Sequence, residues 1–261
     1  MKTTVRGVEL DYDDQGSGLP IVLIHGFPFS RRMWRPQVPA LEKTCRLITP
    51  DLRGFGESGG TPSTLEELAE DIHGLVEQLK LPQFVLGGFS MGGYVLFRYL
   101  ARHASRVRAV MLLDTRAEAD PPEARERRYA AIERIKTEGP QGFLEDFLKL
   151  VLSPVSLDAR PMVAGEARRL MAGTSVDALT GGLVAIAERP DSTPLLATIA
   201  VPTLIVVGED DKATPVDSAR KMYEAVKGST LVIIPEAGHL SNLEQPNQFN
   251  AALLEFLNAL S

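Results

Sequence analysis

The feature that most constrains this chain is a rhythm of short apolar runs separated by amphipathic stretches. The runs are Ile21–Ile24, Arg46–Thr49, Phe84–Leu86, Val107–Leu113, Thr203–Val207 and Leu231–Ile234, each bounded by turn residues. A strand with one face in water alternates apolar and polar side chains, whereas a strand buried on both faces is apolar almost throughout. The intervening segments have the other period. Leu65–Leu79 places Leu65, Leu68, Ala69, Ile72, Val76 and Leu79 on one helical face. It opens with Ser63 or Thr64 as a cap and carries acids in its first turn. Met91–Arg102, Asp217–Val226 and Asn247–Leu260 also read as helices. Such alternation predicts an α/β fold, with a mostly parallel sheet and helices on both faces.

Residues 116–196 interrupt the rhythm. They contain no convincing strand, and Glu123–Thr137, Phe143–Leu152, Pro161–Met171 and Val176–Arg189 read as helices. A stretch of this length is too large for a connecting loop. The expected organisation is a core from residues 1–115 and 197–261, with 116–196 as a helical cap. No repeat or low-complexity segment is present.

A length of 261 residues suits one large α/β domain. The net charge of -6 argues against nucleic acid or an anionic membrane as main partner, since both want a basic face. The N-terminus lacks the apolar core of a signal peptide, and no apolar run approaches the roughly 18 residues of a membrane span. The cytoplasm is therefore the expected compartment. The one cysteine, Cys45, excludes an intramolecular disulfide and builds no zinc site. It stands at the start of a buried run and reads as a packing residue.

Gly88-Phe89-Ser90-Met91-Gly92 matches G-x-S-x-G, but so does Gly56-Glu57-Ser58-Gly59-Gly60, so the pattern alone decides little. Context separates the two. Ser90 follows an apolar run and precedes a helix, the junction that a nucleophile elbow requires. Its glycines permit a turn too tight for flanking bulk, and the helix N-terminus supplies backbone N–H groups. Ser58 has no strand leading in and no helix leading out, and reads as a loop residue.

A serine nucleophile needs a base within hydrogen-bond reach. There are four histidines. His239 lies just after the last apolar run, on the sheet edge that Ser90 shares, and is the expected base. His25 shares that edge but adjoins a glycine loop and reads as structural. His73 and His103 read as helix-surface residues. For the acid that orients the imidazole, Asp210 and Asp211 are chemically equal, and Asp114 is a rival from another strand end. Either neighbour in the 210–211 pair preserves the chain order Ser…Asp…His.

With these motifs the chain resembles the α/β-hydrolase family over nearly its whole length. His25-Gly26-Phe27-Pro28 resembles the oxyanion loop, and Asp51–Ser58 the structural loop that holds the second motif. Gly88–Gly93 resembles the elbow, Gly208-Glu209-Asp210-Asp211 the acid loop, and Ala237-Gly238-His239 the histidine loop. The family's spacing implies Asp211 as the acid, three after the glycine. By position it implies the backbone N–H groups of Phe27 and Met91 as oxyanion donors. The resemblance is closest to small bacterial carboxylesterases and to enol-lactonase-like and perhydrolase-like relatives. Haloalkane dehalogenases and epoxide hydrolases use Asp where this chain has Ser90, which argues against both.

The resemblance implies ester hydrolysis through an acyl-enzyme on Ser90, Asp211 and His239, with a small-molecule ester as partner. No metal or organic cofactor is implied. Lactone hydrolysis, perhydrolysis and C–C hydrolysis of a diketone use the same machinery, and a ligand-binding receptor is the alternative from another class. Arg116, just past a strand end, reads as a surface charge, its other reading being a contact to an anionic substrate. Trp34 reads as a packing residue.

Overall fold

The computed structural model describes residues 1–260. Its strands are β1 (Lys2–Val5), β2 (Val8–Gly16), β3 (Leu19–Ile24), β4 (Cys45–Pro50), β5 (Phe84–Phe89), β6 (Val107–Leu113), β7 (Thr203–Gly208) and β8 (Thr230–Ile234). They form one sheet in the order β1-β2-β4-β3-β5-β6-β7-β8. All pairings from β4 to β8 are parallel, with registers such as Ile21↔Val85 and Gly88↔Leu112. The six expected strands are all present. The two N-terminal ones, β1 and β2, were not foreseen; they pair antiparallel at the sheet's edge.

Before the fifth strand come α1 (Val38–Leu41) and α2 (Leu65–Gln78), and after it α3 (Met91–His103). Between β6 and β7 lie α4 (Pro122–Glu138), α5 (Gln141–Val151), α6 (Pro154–Ala159), α7 (Pro161–Met171), α8 (Val176–Ala187) and α9 (Thr193–Leu196). The chain ends with α10 (Val216–Ala225), α11 (Ser241–Glu244) and α12 (Pro246–Asn258). Thr64 is the cap of α2, its hydroxyl accepting from the Glu67 N–H at 3.1 Å. No single described helix is long and apolar enough to cross a membrane.

The strands are apolar because both faces are covered. Val22 and Ile24 of β3 join the core under α2, α3 and α10. Ile21 and Leu23 join the core under α1 and α12. The alternation is the ordinary two-residue period of a strand, with a hydrophobic layer on each side. Cys45 and Trp34 are buried in the second layer, where Trp34 meets Phe89 edge-on.

The helices between β6 and β7 leave the sheet as an excursion with a closed neck. The Ser192 N–H donates to the Ala117 carbonyl at 2.8 Å, and Arg189 Nε donates to the Glu118 carbonyl at 3.0 Å. Residues after the neck then run back to start β7.

Candidate active site

Parallel strands deliver their C-terminal ends to one edge of the sheet. Here β3, β5, β6, β7 and β8 end at Ile24, Phe89, Leu113, Gly208 and Ile234, so the loops beginning at 25, 90, 114, 209 and 235 meet there. Ser90 occupies the turn from β5 into α3 with φ 53°. That left-handed backbone is unfavourable for a side chain and needs support around it. The Ser90 N–H donates to the Leu113 carbonyl at 2.9 Å, and the Ser90 carbonyl accepts from Thr115 Oγ1 at 2.8 Å. The flanking glycines are required by space: a Cβ on Gly88 would stand 2.4 Å from the Gly92 carbonyl oxygen.

Ser90 Oγ lies 2.8 Å from His239 Nε2, and His239 Nδ1 lies 2.8 Å from Asp211 Oδ2. Both His239 and Asp211 are buried, at 2% and 4% exposure, so water does not compete for the contact between them. Asp211 accepts from the backbone N–H groups of Ala213 and Thr214, both at 2.8 Å, on its other oxygen. Thr214 Oγ1 donates to Asp211 Oδ2 at 2.6 Å and stands 3.1 Å from His239 Nδ1. These partners fix the carboxylate. With the carboxylate accepting at Nδ1, the imidazole carries its proton there and leaves Nε2 free to accept from Ser90.

The histidine loop is held from outside. Buried Glu244 accepts from the Gly238 N–H at 2.8 Å and from the Ser153 N–H at 2.9 Å. The Leu240 N–H donates to the Val151 carbonyl at 3.2 Å. The inserted helices therefore brace this loop directly.

Met91 opens α3, so its N–H has no acceptor within the helix. The Phe27 segment is pressed onto Ser90: a Cβ added at Gly26 would lie 3.1 Å from Ser90 Cβ. Phe27 meets Phe143 and Phe147 of α5 edge-to-face, at 6.2 and 5.8 Å between ring centroids. Ser90 and His239 open into a cavity of about 450 Å³, which Phe27, Tyr94, Phe143, Phe147, Leu183 and Ile186 help to line.

A family profile described as the alpha/beta hydrolase fold matches residues 20–246. The chain belongs to that family. Among solved structures, this hydrolase is similar to a thermophilic esterase from Thermogutta terrifontis, determined with malate bound: TM-score 0.94, 39% identity, 99% of this chain and 97% of that one covered. It is also similar to the enol-lactonase from Burkholderia xenovorans: TM-score 0.91, 30% identity, 99% and 100% covered. A putative non-heme chloroperoxidase from Synechocystis is 33% identical over 264 residues, covering 96% of this chain and 95% of the relative.

In this hydrolase the other sequence candidates lie outside the Ser90–His239–Asp211 relay. Ser58 Oγ accepts from the Asp11 N–H at 2.9 Å and donates to the Asp51 carbonyl at 2.8 Å, a tie within its loop. His25 Nε2 accepts from the Leu52 N–H and Nδ1 donates to the Gly26 carbonyl, each at 2.9 Å, and burial pulls its pKa below the ordinary value. His73 and His103 are half-buried and stacked on each other at 3.7 Å, more enclosed than surface residues. Asp114 is fully buried, and its carboxyl accepts from the Gly208 N–H at 2.9 Å and bonds Ser241 Oγ rather than His239. Asp210 is tied by its backbone N–H to the Ala237 carbonyl at 2.8 Å.

Arg116 corrects the sequence reading. It lines the cavity, with 19% of its side chain exposed, and is no free surface charge. Its position follows from the sharp exit of the chain at Asp114, φ 41°, which turns the next residues over the sheet edge. Thr214, Ser241 and Glu244 were not foreseen. For Thr214 the available signal was its place three after Asp211, the spacing at which a side-chain carboxylate caps its own turn.

Proposed function

We propose that this hydrolase cleaves carboxylic esters through an acyl-enzyme on Ser90, with His239 as general base and Asp211 as its orienting acid. The observation that carries the reading is the relay from Ser90 Oγ to His239 to Asp211, 2.8 Å at each step, opening into the cavity. Ser90 Oγ bonds to the substrate carbonyl carbon while its proton passes to His239 Nε2. Asp211 stabilises the imidazolium so formed. The N–H groups of Met91 and Phe27 hold the oxyanion, each worth on the order of 3 kcal/mol in the transition state. His239 then returns the proton to the leaving alkoxide. A water attacks the acyl-enzyme by the same steps in reverse, releasing the acid and restoring Ser90. Phe143 and Phe147 support a capping role for the inserted helices, since both line the cavity and pack on Phe27.

Lactone hydrolysis uses the same bond changes in a cyclic substrate, and the likeness to an enol-lactonase favours it as the second reading.

Ser90→Ala should abolish covalent labelling by an organophosphonate and lower aryl-ester turnover by roughly four to six orders of magnitude. Ser58→Ala should still be labelled. Labelling that follows Ser58 instead would show that the nucleophile has been misassigned.

A further inference from the structure

The cavity and the molecule carry opposite charges. The chain has a net charge of -6, yet every Asp, Glu, Lys or Arg lining the cavity is a cation: Arg116, Arg127, Arg128 and Lys212. One carboxylate stands behind this wall. Asp120, with no exposed side-chain surface, is bonded by Arg116 at 2.7 Å and by Arg128, and lies 2.8 Å from Arg189 Nη2. Three guanidiniums thus share a single carboxylate. Glu118 is engaged by Lys221 at 3.2 Å. Arg127 and Lys212, both exposed at the cavity rim, make no ion pair among the described residues, and Arg116 Nε is buried inside it without a hydrogen-bond partner. A buried N–H without an acceptor is unfavourable, and the two rim cations, unpaired within the chain, are free to meet an anion that enters past them.

Apart from Ser90, Tyr94, Thr214 and His239 the rest of the lining is apolar, with Phe143, Phe147, Leu150 and Ile186 among it. The cavity therefore offers a reacting serine, a greasy wall and a set of under-neutralised cations. Guanidinium groups suit the planar, bidentate geometry of a carboxylate. We infer that the substrate of this site carries a carboxylate remote from the scissile bond, as in a hemiester of a dicarboxylic acid. This rests on the ester-hydrolase reading and names its substrate class. Arg127 and Lys212 act as specificity residues, binding the remote carboxylate and taking no part in bond making.

The test compares two aryl esters of equal acyl length, the hydrogen glutarate and the valerate. At low ionic strength kcat/KM should favour the hemiester at least tenfold, mainly through KM, and the ratio should narrow as salt rises. In Arg127→Gln/Lys212→Gln the ratio should collapse towards one. Lys43→Gln/Lys227→Gln removes the same charge from exposed lysines at the opposite edge of the sheet, and should keep the ratio. A second readout needs no ester turnover: glutarate should protect Ser90 from organophosphonate labelling better than valerate does. Equal rates on both esters with equal protection would overturn the carboxylate proposal and leave ester hydrolysis standing. Protection by glutarate without turnover of either ester would overturn ester hydrolysis and leave the anion site standing. A ratio that falls equally in the lysine control would reduce the effect to bulk charge and sink the assignment to Arg127 and Lys212.

Discussion

Asp114 makes no bond to His239, yet it joins the two loops on which the relay depends. It takes the N–H of Gly208, at the end of β7, and bonds Ser241, two residues past His239. Burial first, and then the charge of Asp211, push its pKa well above the ordinary carboxyl range. A raised pKa in the folded state means that the native protein holds a proton which the unfolded chain has released. Stability from this group is then full below the unfolded pKa and declines as pH climbs towards the folded one. Asp114→Asn keeps an acceptor for the Gly208 N–H and a polar partner for the Ser241 hydroxyl without that proton. It should be at least as stable as the parent at pH 8 and lose part of the parent's pH dependence. Asp114→Ala should cost about 1–3 kcal/mol, because Gly208 and Ser241 lose their partner. Urea unfolding at pH 5 and pH 8 checks both. An Asn variant as weak as the Ala variant would mean that charge, not shape, is what the position requires. At this scale the meeting of Ser90, His239 and Asp211 at one sheet edge was legible because each follows an apolar run within a local motif. Asp114 was legible as a strand-end acid but not as a brace, since its partners lie 94 and 127 residues away in the chain. The second G-x-S-x-G has its own physical cause: Gly56, at φ 57°, lies where a Cβ would stand 2.1 Å from Asp51 Oδ2.

Among the elements, α5 supplies the aromatic wall of the cavity. Phe143 and Phe147 stand one turn apart, stacked at 5.9 Å between ring centroids, and both meet Phe27. Phe147→Ala should open the cavity beside Ser90 and raise the relative rate on longer acyl esters by roughly tenfold over short ones. Because Phe147 is only half-buried, the accompanying loss should be roughly 2 kcal/mol, below that of a fully buried Phe. Rates across an acyl-length series, read beside an unfolding curve, check it. A uniform fall over the whole series would mark folding damage instead. The core elements were legible because burial on both faces writes continuous apolar runs into the chain. Strands β1 and β2 were not, because Val8-Glu9-Leu10-Asp11-Tyr12-Asp13-Asp14 alternates apolar and acidic residues and then turns wholly polar. An edge strand needs only one buried face. The short α6 was also missed, its six residues being too few to show a helical period.

For the whole molecule, acid is the condition under which the inserted helices should loosen. Burial alone would raise the pKa of Asp120, but the hydrogen bond from Arg128 and the adjoining Arg189 guanidinium outweigh it and bring it down to about 2. A depressed folded pKa gives stability that is present above the unfolded value near 3.8 and is lost as pH falls through the folded one. The contribution is about 2 kcal/mol, lost between about pH 4 and pH 2. Asp120→Asn should be weaker than the parent at neutral pH, with the gap closing in acid as the parent's carboxylate is protonated. Thermal unfolding from pH 7 to pH 3 checks it, and a gap that stays constant would remove Asp120 as the acid-sensitive tie.

The neck at Ala117 and Ser192 has a further consequence. The path leaves and rejoins the sheet at a neck closed by two hydrogen bonds, so the pairing of β6 with β7 does not register how many residues lie above it. Closing a loop between fixed ends costs only about 0.6 kcal/mol more for each doubling of its length. Lengthening, trimming or exchanging the helices above the neck therefore leaves strand pairing untouched. The parts facing solute can drift quickly through sequence space, provided that the ties from Val151 and Ser153 to the loop carrying His239 are kept.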